Sequence, residues 1–149
     1  MRIVLVEPEI PQNTGSIARL CAATDSELHL VGRLGFSLDD RYLKRAGLDY
    51  WPHVKLAVHP SWEAFRAAHG PGRLLGFSAH GARSYTEIAF RDDDALVFGG
   101  ESRGFSDDLR AALAPLWRIP MATAAVRSLN LANAASIVLY EGLRQLGRA

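Results

Sequence analysis

Short apolar runs of four or five residues alternate with longer amphipathic stretches in this chain, and this alternation restricts the possible folds more than any other feature. Nearly continuous apolar strands are typical of a sheet that is covered on both faces. Repeated strand–helix units therefore predict an α/β domain with a mainly parallel sheet flanked by helices. The predicted strands are Ile3–Val6, Leu28–Val31, Val54–Val58, Leu74–Phe77, Ala95–Phe98 and Trp117–Met121, with Ile88–Phe90 as a weaker candidate.

Polar residues at the start of the amphipathic stretches predict where the helices begin. Serine, threonine and asparagine side chains accept hydrogen bonds from the free N–H groups of a first helical turn. The predicted caps are Asn13 or Thr14, Ser37, Ser61 and Ser106. Gly47 and Gly70 are expected to end the helices that begin after Ser37 and Ser61. No long linker or repeat interrupts this order, so we expect residues 1–149 to form a single domain.

The composition is that of an ordinary soluble globular protein. The chain has 149 residues, of which 48% are hydrophobic and 22% are charged. A formal net charge of +1 gives no overall attraction to nucleic acid, so any basic surface must be local. The first apolar run is too short for a signal peptide or a membrane span, and the single cysteine, Cys21, cannot form an internal disulfide. We therefore expect a cytoplasmic protein without membrane attachment, in which Cys21 is a small buried hydrophobic residue.

Two common kinds of catalytic site are disfavoured. The histidines are scattered at positions 29, 53, 59, 69 and 80, and no Cys-x-x-Cys motif is present, so we expect no metal site. Residues 100–104, GESRG, match the G-x-S-x-G elbow of serine hydrolases. That elbow requires a histidine later in the chain than its serine, and every histidine precedes Ser102. Serine hydrolysis is therefore not expected.

A glycine-rich loop, FGGESRGF at residues 98–105, follows the predicted strand Ala95–Phe98. The first strand instead runs into Glu7-Pro8-Glu9, which lacks the G-x-G-x-x-G motif of a dinucleotide site. Glycines at the carboxyl end of a strand let the backbone approach a ligand closely, at the edge where α/β sheets bind their ligands. The alternative is a glycine-rich turn that binds nothing.

The last predicted helix has an unusually polar start. Residues 127–146 read RSLNLANAASIVLYEGLRQL, and Arg127, Ser128, Asn130 and Asn133 are set among small alanines. These side chains either cap the helix or hold a ligand.

A basic cluster lies in the middle of the chain. Arg41, Lys44 and Arg45 are spaced at i, i+3 and i+4 on one face of a predicted helix. Such a face can follow a nucleic-acid backbone, or it can simply be solvated. Tyr50 and Trp51 lie just beyond it, and they either stack on bases or pack in the core.

Three stretches taken together resemble the three motifs of the SPOUT superfamily of RNA methyltransferases. These stretches are EPEIPQNTGSIARLCAAT, LVFGGESRGF and RIPM…RSLNLANAASIVLYEGLRQL. They are similar in particular to the small tRNA (cytidine/uridine-2'-O)-methyltransferases of the TrmL group, of which the stretch AGLDYW is also typical. The resemblance implies a C-terminal trefoil knot and a homodimer whose RNA site is shared between subunits. It also implies methyl transfer from S-adenosyl-L-methionine to the ribose 2'-hydroxyl of the wobble nucleotide in the tRNA anticodon.

The resemblance assigns roles to individual residues. Arg19 matches the catalytic arginine of the superfamily and is expected to bind a phosphate and orient the hydroxyl, while Asn13 fixes the turn before its helix. Glu101, Asn130 and Asn133 are expected to support the site, with Asn130 as a helix cap. The expected cofactor-binding residues are Phe77, Gly99, Ile119, Met121, Ser128 and Leu129. The expected RNA-binding residues are Arg41, Lys44 and Arg45.

Two other functions stay open on the sequence alone. One is a ribose 2'-O-methyltransferase that acts on another position of tRNA or on another RNA. The other is a module that binds a cofactor or RNA without catalysis.

Overall fold

The computed structural model describes residues 1–39, 41 and 48–149, and within these residues the strands form one seven-stranded sheet. The strands in chain order are β1 (Arg2–Val6), β2 (Glu27–Val31), β3 (Lys55–His59), β4 (Leu74–Phe77), β5 (Arg83–Ser84), β6 (Ala95–Phe98) and β7 (Trp117–Arg118). Their order in the sheet is β3-β2-β1-β6-β4-β7-β5, and each neighbouring pair is parallel. The α/β class with a mainly parallel sheet is confirmed.

The α-helices of the described residues are α1 (Pro11–Ala23), α2 (Trp62–His69), α3 (Asp107–Leu113) and α4 (Leu131–Gln145). Short 3-10 helices cover Leu48–His53 and Tyr85–Glu87. Ser61 and Ser106 cap α2 and α3 as predicted, and Gly70 ends α2. The predicted helix from Ser37 to Gly47 falls mostly on residues 40 and 42–47, which lie outside the described residues.

Helices cover both faces of the sheet, because the central strands alternate their apolar side chains between the two faces. In β1, Ile3 and Leu5 pack with α1 and α4, whereas Val4 packs with α2 and α3. Cys21 of α1 is fully buried, and this burial raises the pKa of its thiol to about 12. The prediction of a buried structural cysteine is therefore confirmed.

The predicted cap of α1 is wrong. The helix begins at Pro11, and its N-cap residue is Ile10, whose side chain makes no capping hydrogen bond. Asn13 and Thr14 are buried inside the first turn. Proline suits the first helical position because it has no N–H to satisfy. The N–H groups of Glu9 and Ile10 are satisfied by the carboxylate of Glu101, which is distant in sequence.

Two strand predictions also need correction. Ile88 and Phe90 are buried, but residues 88–90 do not form a strand, because the side-chain amide of Gln145 bonds their backbone in place of a neighbouring strand. The last strand ends at Arg118 rather than Met121, where Pro120 removes a ladder donor. The short strand Arg83–Ser84 is missed by the sequence pattern.

The parallel arrangement brings the carboxyl ends of β1, β6, β4 and β7 to one edge of the sheet. Strand order alone does not trace the threading of the backbone, so the trefoil knot stays a prediction. No helix in the described part of the chain is both long enough and apolar enough to cross a membrane.

Candidate functional site

A cleft of about 680 Å³ lies at the edge of the sheet where β4, β6 and β7 end. It is lined by the segments after β4, after β6 and between β7 and α4. Sites for small organic ligands have volumes of ~300–1,000 Å³, so this cleft is of ordinary size for one. The six residues predicted to bind a cofactor all line it: Phe77, Gly99, Ile119, Met121, Ser128 and Leu129. The structure therefore brings the later two motifs of the sequence together.

One wall of the cleft is apolar. The rings of Phe77 and Phe98 stack with their centroids 5.1 Å apart and their planes 19° apart. Met121 and Leu129 also line the cleft, where they are 36% and 38% exposed. Large apolar side chains that stay exposed in a concave site favour an organic ligand.

The glycines after β6 allow segments of this chain to pack closely against each other. A Cβ on Gly99 would lie 2.5 Å from the carbonyl carbon of Gly104, and a Cβ on Gly100 would lie 2.7 Å from the carbonyl oxygen of Glu7. The N–H of Gly104 donates to the carbonyl oxygen of Gly100 at 2.8 Å and closes the turn. The sequence suggested that these glycines approach a ligand. In the structure, Gly99 and Gly100 instead let the loop pack against the backbone of Gly104 and Glu7. The loop itself still lines the cleft.

The carboxylate of Glu101 connects the glycine loop to the start of α1. It accepts hydrogen bonds from the N–H of Glu9 at 2.7 Å, the N–H of Ile10 at 3.1 Å and the side-chain Nδ2 of Asn13 at 3.2 Å. In turn, the Oδ1 atom of Asn13 accepts a hydrogen bond from Nδ2 of Asn130 at 2.9 Å. Residues from all three sequence motifs therefore form one hydrogen-bonded group at the cleft.

A second carboxylate forms the reciprocal contact, and sequence reasoning missed it. Glu9 accepts hydrogen bonds from the hydroxyl of Ser102 at 2.6 Å and from the N–H of Ser102 at 3.1 Å. These bonds lower the pKa of Glu9. Ser102 is thus a loop donor to a carboxylate, which agrees with rejecting the hydrolase elbow. A signal was present in the sequence, since a glutamate follows Pro8 directly after the first strand.

The polar start of α4 serves as its cap. The Oδ1 atom of Asn130 accepts hydrogen bonds from the backbone N–H groups of Ala132 at 2.9 Å and Asn133 at 3.3 Å, which confirms the predicted cap. Ser128 and Asn130 line the cleft. Asn133 is exposed and is not part of the cleft lining, so the structure does not bring its side chain to the site.

Arg19 lies outside the cleft of its own chain. It is exposed on α1, and its guanidinium carbon is 5.7 Å from the centroid of the Tyr50 ring. Tyr50 and Trp51 are half-buried and pack against the core, as the more ordinary of the two interpretations expected. Of the predicted RNA-binding residues, Arg41 is exposed, while Lys44 and Arg45 lie outside the described residues.

Three further arginines line the cleft, and of these only Arg127 was noted in the sequence, as part of the polar start of the last helix. Arg103 follows the glycine loop, Arg110 is on α3 and Arg127 precedes Ser128. Arg103 and Arg110 lie on different elements and Arg127 follows 17 residues after Arg110, so no local helical pattern groups the three.

His29 and His59 take structural positions, whereas His80 lines the cleft and His53 is exposed. His29 is hydrogen-bonded to His59 at 2.9 Å and to Glu27 at 3.0 Å. Within residues 1–39, 41 and 48–149, no group of three or more potential metal ligands is arranged to hold an ion.

A parallel sheet with an apolar cleft at the carboxyl ends of its strands defines an α/β protein that binds a small organic ligand at that edge. The chain belongs to the SpoU rRNA Methylase family, whose sequence model matches residues 1–140. The resemblance to SPOUT methyltransferases is thereby confirmed.

Its relatives are similar over nearly their whole length. A putative tRNA (cytidine(34)-2'-O)-methyltransferase of Synechocystis sp. is 52% identical and is covered over 97% of its length by 98% of this chain. The tRNA (cytidine(34)-2'-O)-methyltransferase of Escherichia coli K12 is 44% identical, with 99% of this chain matching 94% of that protein.

Solved structures give the same result. A structure concerned with 2-OH methylation of C/U34 on tRNA has a TM-score of 0.93 and 50% sequence identity, over 98% of this chain and 90% of that one. The SpoU methyltransferase AviRb from Streptomyces viridochromogenes, in complex with AdoMet, has a TM-score of 0.84 and 30% identity. The match covers all of this chain (100%) and 61% of AviRb.

Proposed function

We propose that this protein transfers a methyl group from S-adenosyl-L-methionine to the ribose 2'-hydroxyl of cytidine or uridine 34 in the tRNA anticodon. The observation that carries the proposal is the hydrogen-bonded group of Asn13, Glu101 and Asn130. Asn13 and Asn130 are 117 residues apart in sequence, yet they meet beside a cleft of cofactor size. The names of the relatives that share this architecture favour position 34 of tRNA.

The residues of the cleft fit the proposed cofactor. S-adenosyl-L-methionine combines an adenine ring, a ribose and an amino-acid tail around a sulfonium, which supplies an electrophilic methyl group. The stacked pair Phe77 and Phe98 and the exposed side chains of Met121 and Leu129 offer apolar surface to such a molecule. The loop after β6 offers backbone hydrogen-bonding groups for its polar edges.

We further propose that the active unit is a homodimer with a shared site. Arg19 is exposed and outside the cleft of its own chain, so a second copy is the natural source of the guanidinium beside each cleft. There it would bind a phosphate and orient the 2'-hydroxyl. An exposed apolar pair on α4 favours such pairing, since Ile137 is 37% and Tyr140 is 49% exposed.

The basic cluster of Arg41, Lys44 and Arg45 remains our proposal for a backbone contact to tRNA. Arg41 is exposed, and an exposed arginine can bind the phosphates of an RNA backbone. A tRNA substrate would make the cytoplasm the place of action.

Nucleoside mass spectrometry of tRNA from a strain that lacks this gene tests the function. We expect loss of one 2'-O-methylated nucleoside at position 34. Loss of a ribose methyl group at another position would favour the alternative RNA methyltransferase. An unchanged profile would favour a non-catalytic module.

Calorimetry with S-adenosylhomocysteine provides an independent test of the cleft. We expect one binding site per chain. Absence of binding would leave the cleft without its proposed ligand and would contradict the proposal.

A further inference from the structure

We infer that Arg103, Arg110 and Arg127 form a phosphate-binding rim around the cleft, and that RNA bound to this rim strengthens the binding of the cofactor. The inference rests on the proposed function, because it concerns how that site binds its two substrates together. We call these three residues the cationic rim, and Arg127 is its principal member.

The cationic rim is assembled from three separate elements. Arg103 belongs to the loop after β6, Arg110 to α3 and Arg127 to the segment before α4, and all three line the same cleft. Arg103 and Arg127 are exposed. Arg110 is half-buried, and its Nε atom donates to the carbonyl oxygen of Phe105 at 3.4 Å. Arg103 and Arg127 therefore present exposed side chains at the cleft, whereas Arg110 is partly engaged by the backbone.

The acidic groups nearby are already engaged. Glu101 lines the cleft, but its oxygens accept three hydrogen bonds from the segment that leads into α1. Glu9 accepts two hydrogen bonds from Ser102, and its charge acts on Arg103. Among the residues that the structure describes, Arg127 has no ion pair or hydrogen-bonded side-chain partner. No carboxylate of the described residues is paired with its charge.

Other arginines of the described surface show the contrast. Several are paired with carboxylates: Arg2 with Glu27, Arg73 with Asp94, Arg83 with Glu87 and Arg144 with Glu141. An exposed arginine beside a cleft, left without such a partner, is available for a ligand that carries negative charge.

The cofactor alone does not supply that charge. S-adenosyl-L-methionine carries a sulfonium and an ammonium against one carboxylate, so its net charge is positive, and three arginines at the cleft oppose its entry. The phosphates that flank the target nucleotide would neutralise the rim. By linkage, any gain in cofactor affinity caused by RNA must appear as an equal gain in RNA affinity caused by cofactor.

The test compares Arg127→Ala with Arg91→Ala. Arg91 is also exposed, but it lies just before β6, at the amino end of the strand and away from the cleft. RNA binding is measured by fluorescence anisotropy of an anticodon stem-loop over a series of salt concentrations. S-adenosyl-L-methionine binding is measured by calorimetry with and without that RNA. Thermal unfolding verifies that both variants are folded.

We expect Arg127→Ala to weaken RNA binding by about tenfold and to reduce the salt slope by about one. The gain in cofactor affinity caused by RNA should shrink, while cofactor affinity without RNA is unchanged or higher. Arg91→Ala should behave as the wild type does. Arg127→Lys, which keeps the charge, should recover most of the salt slope.

The failure of this inference can be distinguished from failure of the proposed function. If the wild type methylates the RNA but Arg127→Ala and Arg91→Ala bind it alike, the cationic rim is overturned and the function stands. If the wild type binds neither S-adenosylhomocysteine nor the stem-loop, the proposed function fails, and this inference fails with it.

Discussion

Two polar networks tie distant parts of the chain together, one at the cleft and one beneath α2, and they differ in how their charges are used. At the cleft, Glu9 and Glu101 each accept hydrogen bonds from the segment that carries the other, and Asn13 extends the connection to Asn130. Their hydrogen-bonding partners are N–H and O–H groups, although the charge of Arg103 also acts on Glu9. Arg127 of the same cleft is left for a ligand.

The second network pairs its charges internally. Arg2 is hydrogen-bonded to His69 and lies beside Glu27, and Glu27 in turn bonds His29, which bonds His59. None of these five residues lines the cleft. The comparison teaches that internally paired charge marks structural support, whereas charge left unpaired beside an apolar cleft marks a binding site.

The largest effect is expected at Arg19. Replacing it by alanine should lower methyl transfer by at least ~100-fold, because its charge is needed only where substrate reacts. S-adenosylhomocysteine affinity should be unchanged, since Arg19 lies outside the cleft. Turnover with the stem-loop and calorimetry measure the two quantities. Normal turnover would remove Arg19 from the mechanism.

Mixed dimers locate the site at which Arg19 acts. A chain that carries Arg19→Ala is mixed with a chain that carries Leu129→Trp, in which the larger side chain fills the cleft. Each chain thus has one defect that the other lacks. If Arg19 serves the partner's cleft, half of the dimers have one complete site, and about a quarter of the wild-type rate returns. No recovery would place Arg19 in the site of its own chain.

An intermediate effect is expected at Glu101. Glu101→Gln should lose about 2 kcal/mol of stability, because one oxygen that accepts N–H groups becomes a donor. Affinity for S-adenosylhomocysteine should fall by about tenfold as the loop loosens. Glu87→Gln is the matched control, since Glu87 also accepts a backbone N–H, from Ser84, but lies outside the cleft. Equal affinities in the two variants would contradict a role for the Glu101 network in the site.

The histidine network should affect stability but not binding. Burial lowers the pKa of His59 and His69, so the folded state favours their neutral forms. Their contribution is present above the ordinary histidine pKa of ~6.5 and is lost as the pH falls below it, because the unfolded state then binds more protons. Urea midpoints should therefore fall between pH 7.5 and 5.5, and His59→Gln should reduce this loss.

Two measurements sharpen the histidine prediction. Affinity for S-adenosylhomocysteine at pH 7.5 should be the same in His59→Gln and in the wild type. His53→Gln, at an exposed position, should leave the pH dependence of stability as it is in the wild type. A change of cofactor affinity in His59→Gln would erase the distinction between the two networks.

The smallest effect is expected at Ser102. Ser102→Ala removes one of the two hydrogen bonds to Glu9 and should cost about 1 kcal/mol. The remaining N–H bond should hold most of the loop, so cofactor affinity should fall by only about two- to threefold. Ser84→Ala, which removes a helix-capping hydroxyl outside the cleft, should lower stability without any change in affinity. Indistinguishable affinities would assign Ser102 to stability alone.

The regular elements could be predicted because their signals are local. The runs Ile3–Val6 and Ala95–Phe98 are buried on both faces, and burial of this kind leaves an unbroken apolar sequence. Ser61 and Ser106 cap helices through bonds to residues three positions later. In these cases the residues next to each element in the sequence were enough to predict it.

The errors arose where a distant side chain replaced a local one. Glu101 bonds the N–H of Ile10, the residue before α1, and Gln145 bonds the backbone of residues 88 and 90 from α4. The cleft residues predicted from the family motifs do come together, whereas the position of Glu9 after the first strand did not reveal its partner Ser102, 93 residues later. Contacts of this range depend on the tertiary fold.

Methyl transfer to an anticodon stem-loop tests the central claim most directly, when one RNA has ribose and its control has 2'-deoxyribose at position 34 only. The two RNAs differ by one hydroxyl, so they keep the same phosphates for the protein to bind. We predict that labelled methyl from S-adenosyl-L-methionine enters the first RNA and not the second. Equal labelling of both RNAs, or none of either, would contradict the account.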